Sequence, residues 1–143
     1  MSAKPSVRSR LAAGERCHGT MIFELFTPGI AAILDVLGYD FVIMDTEHSG
    51  VGIDTMKQQI AYARGLDIEV YVRVPDGHYS TVAPMMDAGA QGIMVPMVET
   101  PEQAKALVDA VRYRPEGRRG LAFGISHDGY GRGTPNDTMA RAN

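Results

Sequence analysis

Between Tyr39 and Gly50 the chain reads Tyr-Asp-Phe-Val-Ile-Met-Asp-Thr-Glu-His-Ser-Gly, an apolar run that empties into Asp45, Glu47 and His48. Carboxylates and an imidazole are side chains that handle protons. Asp45 and His48 lie three residues apart, a spacing that a tight loop can fold into a hydrogen bond between carboxylate and imidazole. Such a pair would fix the ring tautomer and make the far nitrogen a better base. The same residues also fit a capping or solvated loop, and Glu47 taken alone reads as a solvated carboxylate. Arg73 belongs to a second buried-looking run, Ile68 to Val74. A guanidinium there needs an anion, either a structural carboxylate or an acidic ligand gripped by its planar fork.

These residues need strands to carry them to one mouth, and the hydrophobic pattern supplies the strands. Thr20-Met21-Ile22-Phe23 reads as a first strand, and Thr27-Pro28 as the start of a helix through Ile30, Ile33, Leu34 and Leu37 that Gly38 stops. The second strand runs into Asp45. Asp54 reads as the cap of a helix through Met56, Ile60 and Ala63 that closes at Gly65. A third strand, Ile68 to Val74, ends in the turn Pro75-Asp76-Gly77. Val82, Met85 and Met86 mark a helix leaving through Ala88-Gly89-Ala90, Gly92 to Pro96 a fourth strand, and Thr100-Pro101-Glu102 the opening of a helix through Ala104, Leu107, Val108 and Val111.

Strands alternating with helices predict an α/β fold with a parallel sheet and right-handed crossovers, whose carboxyl ends collect chemistry. Four units fit either an open doubly wound sheet or part of a barrel. A complete eightfold barrel runs to about 250 residues, and 143 residues are roughly half of that. Residues 1–15 read as a lead segment that frays over Met1 to Arg10, with Leu11 to Glu15 as the last turn of a short helix. Residues 16–143 read as one domain, irregular and rich in Gly and Arg from about residue 113.

Bulk properties exclude several classes. A hydrophobic content of 45% with 22% charged residues is that of a globular domain. A net charge of -3 gives no footprint for nucleic acid, and no apolar run reaches the ~18 residues of a membrane span. The amino terminus has no apolar signal region, so a cytoplasmic location is expected. Cys17 is a lone cysteine without metal-ligand spacing. Gly50-Val51-Gly52 lacks the dinucleotide fingerprint, and no Gly-Lys-Ser/Thr ending exists for a phosphate loop. His78 and Glu99 could reach the same rim but read as exposed loop residues. Arg112, Arg114, Arg118 and Arg119 read as a solvated basic face.

Asp45-Thr46-Glu47-His48, Val72-Arg73-Val74-Pro75, the stretch Asp87-Ala88-Gly89-Ala90-Gln91-Gly92 through Glu99-Thr100, and Arg112-Tyr113-Arg114-Pro115-Glu116-Gly117 through Gly120 together resemble the HpcH/HpaI family of pyruvate-specific class II aldolases. The likeness runs from Gly19 to the end in the family's own order. It implies the amino-terminal half of a TIM (β/α)8 barrel. It further implies a metal-dependent carbon–carbon lyase that reversibly cleaves 2-keto-3-deoxy (4-hydroxy-2-oxo) acids to pyruvate and an aldehyde through an enolate.

By position the resemblance makes His48 the catalytic base, Asp45 its orienting carboxylate and Arg73 the arginine that holds the keto acid, with Glu47 in support. The cofactor it implies is a divalent ion, Mg, Mn or Co, whose usual ligands would lie beyond Asn143, so the resemblance implies no metal ligand among these residues. Arg114 stands where the family usually has a second proline. The expected partners are the small keto acid and aldehyde, with no nucleic acid or membrane, and a homo-oligomer for the full-length protein. A half barrel leaves strand edges unpaired and is expected to pair with something or to aggregate. The alternative reading is a catalytically silent fragment keeping only a keto-acid-binding or oligomer-interface role.

Overall fold

In the computed structural model, residues 4–131 and 133–143 are described; the first three residues of the lead segment lie outside them. The chain runs α1 (Val7–Ala12), β1 (Gly19–Ile22), α2 (Ile30–Val36), β2 (Phe41–Asp45), α3 (Ile53–Tyr62), β3 (Glu69–Arg73), α4 (Tyr79–Ala88), β4 (Gly92–Met94) and α5 (Pro101–Val111). A 3₁₀ turn (Ser126–Asp128) and α6 (Pro135–Ala142) follow. The strands form one four-stranded sheet in the order β1-β2-β3-β4, every neighbouring pair parallel. Among the described residues no helix is long and apolar enough to cross a membrane.

The period of two along each strand divides the sheet into two faces. Val42 and Met44 of β2 and Val70 and Val72 of β3 are buried against Ala31 and Leu34 of α2, Met56 and Ile60 of α3, and Val82 and Met85 of α4. The alternate residues Phe41, Ile43, Tyr71 and Arg73 lie on the other face and are only half-buried. There the Phe41 and Tyr71 rings pack with centroids 5.6 Å apart, and the Tyr71 hydroxyl donates to Glu69 Oε2 at 2.6 Å. Gly19 and Gly92 are the ladder partners of Phe41 and Tyr71. A glycine on each outer strand is what lets the neighbouring ring lie flat across it.

The opposite end of the strands from Asp45 is closed by α1. Val7 is buried and its N–H donates to Glu69 Oε1 at 2.8 Å, while Lys4 and Arg10 both pair with Asp40. Asp40 also accepts the His18 N–H at 2.8 Å, and these donors, the Arg10 hydrogen bond foremost, hold its carboxyl far below the usual carboxylate range. The lead is therefore a docked helix from Val7 onward and not a frayed segment, because Asp40 and Glu69 give it anchors distant in sequence. The expected irregular tail likewise contains α6, which Thr134 caps by accepting the Asp137 N–H.

Two helix starts differ from the sequence reading. The residue capping α3 is Gly52, with Asp54 one position inside its first turn, where its charge favours the helix dipole. Helix α2 begins at Ile30 after Gly29, because the two residues following Thr27 form a turn before the first helical bond. For α5 the reading holds: Thr100 and Gln103 form a reciprocal capping box with Pro101 at the first turn.

A Cβ at Gly92 would stand 2.5 Å from Tyr71 Cδ1, and that ring is held by both Phe41 and Glu69. Gly92→Ala should cost about 1–3 kcal/mol by overpacking, read as a lower urea midpoint at unchanged m-value.

Candidate active site

The ladder sets Asp45 directly opposite Arg73 at the carboxyl ends of β2 and β3. Asp45 is fully buried, and its oxygens are taken by local donors. Oδ1 accepts from Arg73 Nε at 2.7 Å and from the Glu47 N–H at 3.0 Å, and Oδ2 accepts the His48 N–H at 2.8 Å. The next residues are fastened in the same way. Ser49 Oγ donates to the Asp45 carbonyl, and Thr46 gives both its N–H and its hydroxyl to the Arg73 carbonyl at 2.9 and 2.7 Å. Gly50, at φ +73°, then turns the chain away towards α3.

Burial by itself would raise the Asp45 carboxyl, but the Arg73 bond and the His48 and Glu47 amides outweigh it and hold the group below the ordinary carboxylate range. The Asp45 hydrogen bond in turn raises Arg73. The cluster is an ionised pair, supported by backbone, at the mouth of the sheet.

The expected Asp45–His48 side-chain pair does not form. Asp45 bonds the backbone of His48 and not its imidazole. The carboxylate beside the ring is Glu47, whose Oε1 lies 3.6 Å from His48 Nε2, and whose Oε2 lies 3.2 Å from Arg73 Nε. Glu47 is thus no solvated loop residue: only 19% of its side chain is exposed, and it sits between the guanidinium and an imidazole that is 63% exposed. The i, i+2 spacing from Asp45 was the available signal, since alternate residues leaving a strand share a side.

The other candidates stand apart. His78 and Glu99 are exposed, with their N–H groups bonded to Asp76 and to the Gln103 side chain. The arginine-rich stretch is partly internal. Arg119 is buried, paired with Asp87 at 2.6 Å and stacked 4.7 Å from the Tyr113 ring centre, and Arg112 pairs with Glu116.

The donor set at the mouth does not fit the divalent ion that the resemblance implies. Both Asp45 oxygens are engaged, the nearest free carboxylate oxygen, Glu47 Oε2, already faces a guanidinium, and among the described residues no group of three or more His, Cys, Asp or Glu could hold a metal.

Because the folded Asp45 titrates below the unfolded value of about 3.9, its stabilisation is complete above about pH 5 and falls away as pH drops below about 4. Urea unfolding of wild type and Asp45→Asn should show a wild-type advantage of about 1–3 kcal/mol at pH 7 that shrinks steadily towards pH 3.

A family model described as HpcH/HpaI aldolase/citrate lyase matches residues 20–140. The hydroxypyruvate/pyruvate aldolase of Roseobacter denitrificans is 39% identical over 127 residues, which are 87% of this chain and 48% of that protein. The 4-hydroxy-2-oxovalerate aldolase of Novosphingobium aromaticivorans is 45% identical over 98 residues, 66% of this chain and 36% of that protein. The crystal structure of an HpcH/HpaI aldolase from Desulfitobacterium hafniense matches with a TM-score of 0.89 at 27% identity, over 96% of this chain and 52% of that one. The chain spans about half the length of the curated relatives it matches. Its solved neighbours are TIM barrels, and its four parallel strands, each followed by a helix, superimpose on about half of such a chain. With most of its length matched by that model, the chain belongs to the HpcH/HpaI aldolase/citrate lyase family.

Proposed function

We propose that this chain carries the base and the keto-acid clamp of a carbon–carbon lyase, which reversibly cleaves a 4-hydroxy-2-oxo acid to pyruvate and an aldehyde. The observation that carries the reading is the Asp45–Arg73 pair at matched register: Nε is spent on Asp45, while Nη2 is buried without a hydrogen-bond partner. A buried guanidinium donor left over is a place for an anion. Relatives named as aldolases of hydroxypyruvate/pyruvate and of 4-hydroxy-2-oxovalerate support an acid of this class.

In the cleavage direction Arg73 grips the substrate carboxylate, and the exposed His48 ring takes the proton from the 4-hydroxyl. The C3–C4 bond breaks as the aldehyde carbonyl forms, and its electron pair passes to the keto group as an enolate. Return of a proton to C3 gives pyruvate. Glu47 orients the imidazole, and Asp45 sets both the loop and the guanidinium.

Since the chain spans about half of its relatives, a second reading is a keto-acid-binding unit without turnover. Pyruvate release from a 4-hydroxy-2-oxo acid with added Mn²⁺ or Mg²⁺ separates the two. Turnover that His48→Ala lowers by about 10²–10⁴ and that Arg73→Ala impairs chiefly in KM supports the lyase. A folded chain that binds pyruvate without turnover supports the second.

A further inference from the structure

We propose that Phe23 decides which keto acids reach Arg73, a role that rests on the keto-acid reading of Arg73 above. Ile22 pairs with Met44 in the β1–β2 ladder, so Phe23 comes next, level with Asp45, and Asp45 is level with Arg73. The three residues form one row across the carboxyl ends of β1, β2 and β3. The Arg73 guanidinium does not stand up into the mouth. It lies across β2, bonded to Asp45, and reaches the Phe23 ring, whose centre is 5.4 Å from Cζ.

Two observations then belong together. Arg73 Nη2 is out of contact with solvent and yet has no acceptor, and the ring lying over the guanidinium is Phe23. Phe23 is itself 42% exposed and takes no part in the hydrophobic core. A ring with so little core packing to lose turns about its χ1 at small cost, whereas its backbone is held. The strand end fixes it on one side, and on the other Gln59, a buried residue of α3, donates to the Phe26 carbonyl at 2.7 Å. The ring at rest lies over the guanidinium whose spare donor a carboxylate needs. With the carboxylate in place, the displaced ring flanks the rest of the acid and limits the chain that can follow the keto carbon.

The experiment is calorimetric titration of pyruvate and of the longer 2-oxovalerate into wild type, Phe23→Leu, Phe23→Ala and Arg73→Ala, each checked for folding by circular dichroism. Phe23→Ala should bind both acids more tightly than wild type, and should shift preference towards 2-oxovalerate by about ten-fold. Phe23→Leu should fall between the two. Unchanged or weaker binding by Phe23→Ala, or an unchanged ratio between the acids, overturns the role of Phe23. Arg73→Ala reports on the underlying reading separately: loss of binding sustains it, whereas binding equal to wild type, or no binding by wild type and Phe23→Ala alike, removes that reading and the role of Phe23 with it.

Discussion

A carboxylate without solvent exposure, Asp45, is the constraint on which the mouth of this sheet depends. Removing an ion from water costs several kcal/mol, and the protein recovers it only when the charge is fully met by donors. Asp45 is met by one guanidinium and two amides. To supply those amides the chain after β2 must fold back at once, which fixes residues 46–49. To supply the guanidinium, β3 must end on Arg73 in register. A single buried charge thus turns strand pairing into loop conformation, and loop conformation into the placement of Glu47 and His48.

The same alternation that fills the core also delivers these side chains. Val42, Met44, Val70 and Val72 point towards the helices, so Asp45 and Arg73 necessarily continue the opposite row through Phe41, Ile43 and Tyr71. A slip of one residue in β3 would turn the guanidinium towards α3 and α4 and a valine towards the mouth, and the same slip in β2 would carry Asp45 away from its partner. The row is kept in place from its far end by α1, whose bonds to Glu69 and Asp40 hold the beginnings of β3 and β2. Anchor and site lie at opposite ends of the same two strands, so rigidity at one serves geometry at the other.

What the sequence disclosed follows from which forces are local. The four strands and the Thr100 helix start were legible because side-chain alternation and capping operate within a few residues. The Asp45–His48 contact was read at the right spacing and with the wrong partner. A carboxylate preceding two free amides bonds the backbone first, because those amides come with the turn, whereas an imidazole must be immobilised to compete. Docking of α1 depends on Asp40 and Glu69, and burial of Arg119 on Asp87, pairings between distant parts of the chain that no window of sequence contains. Helix α6 did carry a local signal, Thr134-Pro135 with Asp137, but it was hidden among glycines that argue for irregular chain.

Charge balance shows what the mouth still lacks. Two carboxylates, Asp45 and Glu47, already face one guanidinium, leaving one negative charge in excess before any ligand arrives. A keto acid adds another. Such an excess in a half-buried mouth calls for a compensating cation. Arg73 is already shared between Asp45 and Glu47, so that charge has to come from groups other than these three. The buried Nη2 of Arg73, which has no acceptor, is consistent with that incompleteness.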